Sequence, residues 1–240
     1  HHLPLDPTPL TLSRYIAHTS QFIASAPKYL TGAQHFLKHL YPEFAANRGS
    51  PLVRATINGS RKLRADSVKR KLPIRPEHLQ VFEHRFFSDP CYDNLLFITV
   101  LACMFYGCHR SGELIFKGSK TTLDYRKIIK RGSLHFHGDH AGYRLPYHKA
   151  DRFYRGSDIL LSHHDIADPV FFLSLYSSIR DSCHGPRAEL FIREDGSLPS
   201  RRWFDNHFFS VMSREYGGHS VRAGSATYFA SLGVSETIIQ

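Results

Sequence analysis

The stretch YGCHRSGEL, residues 106–114, begins at the end of the longest apolar run in the sequence, LLFITVLACMFYGC over residues 95–108. That run is too short to cross a membrane and predicts a buried core helix over residues 92–106. An arginine at the end of a buried helix needs an anionic partner, and Glu113 follows Arg110 by three residues. The pattern predicts a guanidinium held by a carboxylate, with donors left for a bound anion. An ordinary salt bridge at a helix end remains an alternative at this point.

A second arginine motif lies near the end of the sequence, in GGHSVRAGS at residues 217–225. His219 and Arg222 are three residues apart, so on a helix they share one face. A helix predicted over residues 220–232 puts them near its start, where backbone amides and the helix dipole favour an anion. Taken alone, a His-x-x-Arg pair is a weak signal and also fits an incidental surface pair.

Between the two arginine motifs, short segments separated by glycines predict a small antiparallel sheet. The strand-like segments are residues 127–129, 134–137, 143–145 and 157–162. Lys149 falls on the tight turn between the last two. A lysine at a hairpin tip is commonly solvated, but its mobile ammonium can also donate a proton to a leaving oxygen.

The segment LHFHGDH, residues 134–140, places His135, His137, Asp139 and His140 close together in sequence. His-x-His on a strand points both imidazoles to the same face, as a metal site requires. No distant ligand motif completes the set, so we expect no bound metal and no other cofactor. A metal-dependent phosphohydrolase remains a minor alternative.

Charge is the most informative property of the composition. The 240 residues include 31 Lys and Arg against 21 Asp and Glu, a formal net charge of +10. This excess favours a polyanionic partner, with nucleic acid as the expected one; a merely solubilising surface charge is the alternative. No apolar run is long enough for a transmembrane helix, so no membrane partner is expected.

A basic stretch, residues 59–76, contains seven cations and one acid, Asp66. It predicts a linker that lies along a DNA backbone, although such runs are commonly just solvated. Its cations are Arg61, Lys62, Arg64, Lys69, Arg70, Lys71 and Arg75. The boundary between two domains is predicted there, giving a helical domain over residues 1–72 that includes the linker and a second domain over 73–240.

Helical periodicity and end signals dominate the remaining sequence. In the first domain they predict a helix that follows a Thr8 cap and further helices at 28–40 and 48–58. In the second domain the predicted helices are 76–87, 92–106, 168–180, 200–216 and 220–232. The expected fold class is therefore mainly α with a small antiparallel β-sheet (α+β).

The ordered set of Arg110-x-x-Glu113, Lys149 on a hairpin and His219-x-x-Arg222 at a late helix start resembles the tyrosine recombinase, or phage-integrase-like, family. The resemblance covers most of the chain. It is closest to eukaryotic, crypton-like members around YGCHRSGEL and GGHSVRAGSATYFASLGVS. It implies a helical core-binding domain that clasps DNA, followed by a catalytic domain. The protein would then be an integrase-like enzyme of a mobile element, and its activity would be DNA recombination and integration.

The resemblance also implies a role for each motif residue. Arg110 and Arg222 would clamp the non-bridging oxygens of the scissile phosphate, and Glu113 would orient the site. Lys149 would protonate the departing 5′ oxygen. His219 would hydrogen-bond the phosphate and assist proton transfer. No metal is required, because the cations supply the electrostatic stabilisation.

The attacking tyrosine of the family follows the second arginine at a distance that falls past Gln240. Tyr216 and Tyr228 are interpreted as structural, so this chain is expected to be truncated before its nucleophile. Two hypotheses follow: an incomplete recombinase that acts as a homotetramer on DNA when complete, or a recombinase-derived DNA-binding protein that has lost catalysis. A purely structural basic protein is a further alternative. The expected compartment is intracellular, and the nucleus if the protein is eukaryotic.

Overall fold

The computed structural model describes residues 6–65, 71–89, 91–116, 123–148, 151 and 153–235. The chain divides into two compact units, His1–Arg70 and Lys71–Gln240. Its described residues form ten α-helices, labelled α1 to α10 in chain order, and one three-stranded antiparallel sheet. The predicted fold class, mainly α with a small antiparallel sheet, is confirmed.

The first unit is a small helical body with its own apolar core. Its helices are α1 (Pro9–Thr19), α2 (Ala26–Leu37), α3 (Phe44–Arg48) and α4 (Pro51–Arg64). The Thr8 hydroxyl accepts the Thr11 N–H at 3.2 Å, which confirms the predicted start of α1. Residues at helical spacing in α1, such as Leu12 and Ile16, are buried in the core. The role of this unit in clasping DNA stays a prediction.

The first part of the basic stretch is helical, so the prediction of a linker from residue 59 is wrong there. Helix α4 continues through Gly59 to Arg64, because one glycine in a helix costs only about 1 kcal/mol. Arg61, Lys62 and Arg64 stand in the last turn, where cations favour the negative end of the helix dipole. The Arg64 guanidinium also donates to the Ser20 carbonyl at 2.8 Å. Two further cations of the predicted DNA-binding set, Lys69 and Arg70, lie outside the described residues.

The second unit is built around one helix that is buried along almost its entire length. Its helices are α5 (Pro76–Phe87), α6 (Tyr92–Tyr106), α7 (Ser111–Leu114), α8 (Pro169–His184), α9 (Arg201–Phe209) and α10 (Gly218–Ser231). Every residue of α6 from Leu95 onward is buried, which confirms the predicted core helix. Aromatic side chains of α5 and α9, including Phe82 and Phe204, pack against Phe97 of α6. Among the described residues no helix is both long and apolar enough to span a membrane.

The sheet has strands β1 (His135–His137), β2 (His140–Leu145) and β3 (Ser157–Ser162), in that order. Each neighbouring pair is antiparallel, with Phe136 opposite Ala141 and Gly142 opposite Leu160. The predicted strand at 127–129 is wrong, because the chain forms a 3₁₀ turn there over Tyr125–Lys127. The Asp124 carboxylate caps this turn by accepting the Arg126 N–H at 3.2 Å, a local bond that competes with strand pairing.

Helices α9 and α10 differ in length from the sequence prediction. The Ser200 hydroxyl caps α9 as expected, but α9 ends at Phe209 instead of residue 216. Just beyond, the Ser210 hydroxyl donates to the His207 carbonyl, so it replaces the next helical bond. Helix α10 begins at Gly218, two residues earlier than predicted, and the chain leaves it through Gly233, whose φ of 80° favours glycine.

Candidate functional site

The first arginine segment lies directly after the buried helix α6. Gly107 and Cys108 turn the chain, Cys108 with a positive φ of 50°, and Arg110 precedes the short helix α7. The Arg110 backbone N–H donates to Glu113 Oε2 at 2.8 Å, and its Nη1 donates to Glu113 Oε1 at 3.3 Å. The Glu113 side chain is 8% exposed and that of Arg110 is 38% exposed. The carboxylate therefore anchors the guanidinium while part of it stays open to solvent.

Behind this pair lies a buried histidine that the sequence analysis did not select. His109 Nε2 lies 2.6 Å from the Tyr143 hydroxyl, and His109 Nδ1 lies 3.4 Å from Glu113 Oε2. Burial lowers the pKa of His109, although Glu113 acts in the opposite direction. His109 is accordingly neutral near neutral pH and joins Tyr143 on the sheet to the Arg110–Glu113 pair. Its position directly before Arg110 was the only sequence signal.

The charge of Glu113 is set by two opposing effects. Burial acts to raise the pKa of Glu113, but hydrogen bonds from His109 and Arg110 outweigh it, and the net pKa is lowered. Glu113 is thus a carboxylate at neutral pH, with its oxygens committed to Arg110 and His109. It can orient Arg110 but has little capacity to accept further bonds.

The second arginine lies beside the first segment although it is distant in sequence. Arg222 Nη1 donates to the carbonyl oxygen of Cys108, a residue 114 positions earlier. Cys108 is two residues before Arg110 in the sequence. The charge of Arg222 also contributes to lowering the pKa of His109, after the larger effect of burial. Arg110, Glu113 and Arg222, three of the predicted site residues, therefore come together at the end of α6.

Helix α10, which carries Arg222, is fixed at this place by polar bonds. The Ser225 hydroxyl donates to the Phe105 carbonyl in the last turn of α6, and it lies 2.8 Å from Cys108 Sγ. At the start of α10 the Gly217 N–H donates to the Ser220 hydroxyl at 2.9 Å. These bonds hold both ends of the first half of α10, so the backbone that carries Arg222 has a defined position.

Of the two other predicted catalytic residues, the structure describes His219 but not Lys149. His219 is exposed on the first turn of α10, one helical turn before Arg222 and on the same face. Lys149 lies outside the described residues, so its predicted role stays a prediction. Nearby in the same connection, the Asp151 carboxylate accepts the Gly156 N–H at 2.7 Å and the Phe153 N–H at 3.1 Å.

The cations of the basic stretch that belong to the second unit lie close to α10 and α5. The Lys71 side chain runs past Gly217, and its ammonium donates to the Arg214 carbonyl. Arg75 directly precedes α5. Lys71 is therefore part of the folded unit beside the start of α10, not of a free linker. Whether these residues contact DNA stays a prediction.

Two tyrosines near the site are engaged in packing. The Tyr216 hydroxyl lies 3.2 Å from His78 Nε2. The Tyr228 ring centroid is 5.6 Å from that of Phe105 and 6.2 Å from that of Tyr106. Both arrangements fit the interpretation of these two residues as structural.

The histidines of the β1–β2 hairpin do not assemble a metal site in the part of the chain that the structure describes. His137 is paired with His140 across the hairpin, and His135 Nδ1 lies 3.1 Å from the Ser133 carbonyl. No group of three or more His, Cys, Asp or Glu residues that could hold a metal ion is found among the described residues. The phosphohydrolase alternative gains no support from this hairpin.

Comparison with solved structures identifies the architecture. The XerH site-specific recombinase bound to difH substrate, in a pre-cleavage complex, matches with a TM-score of 0.56 and 12% sequence identity. The match covers 97% of this chain and 62% of that chain, so this chain spans about 62% of the length of its neighbour. The chain has a tyrosine recombinase fold. No protein-family model and no curated protein matches the sequence.

The likeness to XerH confirms the fold that the ordered motifs imply. The closer resemblance to crypton-like members and the truncation before the nucleophile stay predictions. At 12% identity the comparison does not assign an activity to this chain.

Proposed function

We propose that this protein binds double-stranded DNA and holds one backbone phosphate between Arg110 and Arg222. The observation that carries the proposal is the bond from Arg222 to the Cys108 carbonyl, which places a second guanidinium beside the Arg110 segment. The net charge of +10 and the likeness to a recombinase that was solved with its substrate support DNA as the partner.

The reaction that fits this grip is site-specific DNA breakage and rejoining through a 3′-phosphotyrosyl intermediate. In such a reaction negative charge grows on the non-bridging oxygens, and two preorganised guanidinium groups stabilise it most where they need not move. Glu113 Oε1 accepts from Nη1 of the Arg110 guanidinium at 3.3 Å, and the planar fork leaves its other donors for phosphate oxygens. His219 would add a further donor from the same face as Arg222. In this proposal Lys149 protonates the leaving 5′ oxygen.

We place the attacking tyrosine outside these 240 residues. Covalent catalysis requires a phenol aligned with the phosphate. The Tyr216 hydroxyl is instead hydrogen-bonded to His78, and the Tyr228 ring packs against Phe105. The alternative is a recombinase-derived protein that binds DNA without cutting it. The family resemblance further implies a homotetramer on DNA, a mobile-element origin and, in a eukaryote, a nuclear location, which we include as parts of the proposal.

The phosphate grip is tested by the salt dependence of binding to a labelled DNA duplex. Each phosphate contact contributes about 0.9 to the slope of log K against log salt concentration. Because both arginines hold the same phosphate, we expect Arg110→Ala, Arg222→Ala and the double variant each to lower the slope by at most about 0.9 relative to the unmodified chain. The matched control is Arg85→Ala, which removes the same charge from the exposed surface of α5. A loss in Arg85→Ala equal to that in the site variants, or no loss in any site variant, would refute the grip.

The breakage reaction is tested separately by searching for a covalent adduct between protein and labelled DNA on a denaturing gel. A form of the protein that includes the proposed tyrosine should give an adduct that Arg222→Ala abolishes. An adduct that persists in Arg222→Ala would contradict the assigned role. Specific DNA binding with no adduct in any form favours the non-cutting alternative.

A further inference from the structure

A third arginine lies between the two segments of the candidate site. Arg201, the first residue of α9, donates from Nη1 to the Ser111 hydroxyl at 2.9 Å. Ser111 is the residue directly after Arg110 and the first residue of α7. No local motif in the sequence marks Arg201, because its partner Ser111 lies 90 positions away in the chain.

The same guanidinium also lies against the start of α10. A Cβ atom at Gly218 would stand 2.5 Å from Arg201 Nη2 and 2.7 Å from Nη1, closer than real Cβ contacts. Gly218 directly precedes His219 and is the first residue of α10. The absence of a side chain at residue 218 is therefore what lets Arg201 contact the start of the helix that carries Arg222.

Arg201 is itself held in place by three further bonds. Its Nε lies 2.8 Å from both carboxylate oxygens of Asp205, one helical turn later. Its backbone N–H donates to the Phe116 carbonyl at 3.0 Å, and the Phe116 N–H donates to the Pro199 carbonyl at 2.9 Å. The Asp205 carboxylate also neutralises the Arg201 charge, which lowers its repulsion from the nearby site arginines.

We propose that Arg201 is a positioning residue that ties the start of α7 to the start of α10 and so fixes the spacing of Arg110 and Arg222. This inference rests on the proposed function, because spacing matters only if both arginines hold one phosphate. A grip of two guanidinium groups on one phosphate tolerates little displacement, since hydrogen bonds weaken steeply outside their normal distance and angle. Arg201 acts through the two segments and needs no contact with DNA.

The inference predicts coupling between Arg201 and the two site arginines. We expect Arg201→Ala to lower the salt slope of DNA binding as much as the double variant Arg110→Ala with Arg222→Ala does, by about 0.9 for the one phosphate contact that is lost. In the background of Arg110→Ala with Arg222→Ala, the added Arg201→Ala should change the slope no further. A positioning residue has nothing left to position there, whereas an independent contact would still contribute.

Gly218→Ala separates positioning from charge and from general stability. It leaves all charges in place, so a lower slope in this variant cannot come from the loss of a charge. The new Cβ would displace the Arg201 guanidinium, and we expect the slope to fall as in Arg201→Ala. A lower slope with an unchanged melting temperature supports positioning, because a purely structural role would lower both.

The outcomes separate this inference from the proposed function. If Arg110→Ala with Arg222→Ala leaves the slope unchanged, the phosphate grip fails and the role of Arg201 fails with it. If that double variant lowers the slope but Arg201→Ala does not, only the positioning role is overturned. If Arg201→Ala lowers the slope by about 0.9 in both backgrounds, Arg201 is an independent phosphate contact, and positioning is again overturned.

Discussion

Replacing Glu113 by glutamine should separate the orienting role of this carboxylate from its contribution to stability. Glu113 accepts bonds from the backbone and the side chain of Arg110, at 2.8 and 3.3 Å. In Glu113→Gln one of these two oxygens becomes an amide nitrogen, which faces a donor instead of accepting from it. The charge that balances Arg110 also disappears.

The expected loss of stability follows from the exposure of the pair. A hydrogen bond to a charged group contributes about 1.5–3 kcal/mol, and the low end applies because Arg110 is 38% exposed and can regain water. For a unit of this size each kcal/mol corresponds to about 2–4 °C, so the melting temperature should fall by roughly 3–6 °C. DNA affinity should fall by about tenfold, equivalent to about 1.4 kcal/mol, because Arg110 is no longer held.

The chain contains a closely matched control in Glu189→Gln. The Glu189 side chain is 9% exposed, and Arg187 Nη2, on a side chain that is 44% exposed, lies 3.1 Å from its Oε1. Burial acts to raise the pKa of Glu189, and bonds led by that from Arg187 outweigh it, so its pKa is lowered like that of Glu113. Glu189→Gln should cost similar stability and leave DNA affinity unchanged. Equal DNA affinities for the two variants would refute the orienting role of Glu113.

Three further predictions concern the second unit, and one of them has its comparison variant, Gly59→Ala, in the first unit. In a form that cleaves DNA, Arg222→Lys should slow single-turnover cleavage by about 10²–10³-fold with little change in DNA affinity, because lysine lacks the planar fork. The folded-state pKa of His109 is lowered, so its contribution to stability is present above the unfolded pKa of about 6.5 and is lost as pH falls below it. His109→Gln should therefore reduce the acid-induced loss, by at most about 2 kcal/mol at pH 5, in melting curves taken from pH 7 to pH 5. A Cβ at Gly224 would overlap the Ile74 carbonyl, so Gly224→Ala should cost at least about 3 kcal/mol in chemical unfolding, whereas Gly59→Ala, with open space around it, should stabilise by about 0.5–1 kcal/mol.

Elements governed by local sequence could be predicted closely. Helix α5 begins with Pro76 in its first turn and buries Leu79, Phe82 and Phe86 at helical spacing, and its observed bounds equal the prediction. Helix α6 was also predicted correctly, because its apolar run is too short to cross a membrane and therefore indicates a buried core helix. The predicted ends of α4 and α9 were wrong, because helix ends depend on small differences between helical bonds and competing local interactions. One glycine did not stop α4, and a serine side chain helped to end α9.

Contacts in the candidate site could be predicted only where both residues of the contact lie in the same short motif. Arg110 and Glu113 are three residues apart, so their contact was visible in the sequence. The Tyr143–His109 and Ser111–Arg201 contacts join residues 34 and 90 positions apart, and no periodicity in the sequence encodes such pairs. Both pairs form because the sheet and α9 fold back onto the end of α6, which is a property of the complete unit.

The central claim is that two guanidinium groups hold one DNA phosphate. The most direct measurement is an experimental structure of this chain bound to duplex DNA. The account predicts donors of both Arg110 and Arg222 at about 2.7–3.0 Å from oxygens of the same phosphate, with Arg201 still bonded to Ser111 and Asp205. A structure in which the two arginines contact different phosphates, or face away from the DNA, would contradict it.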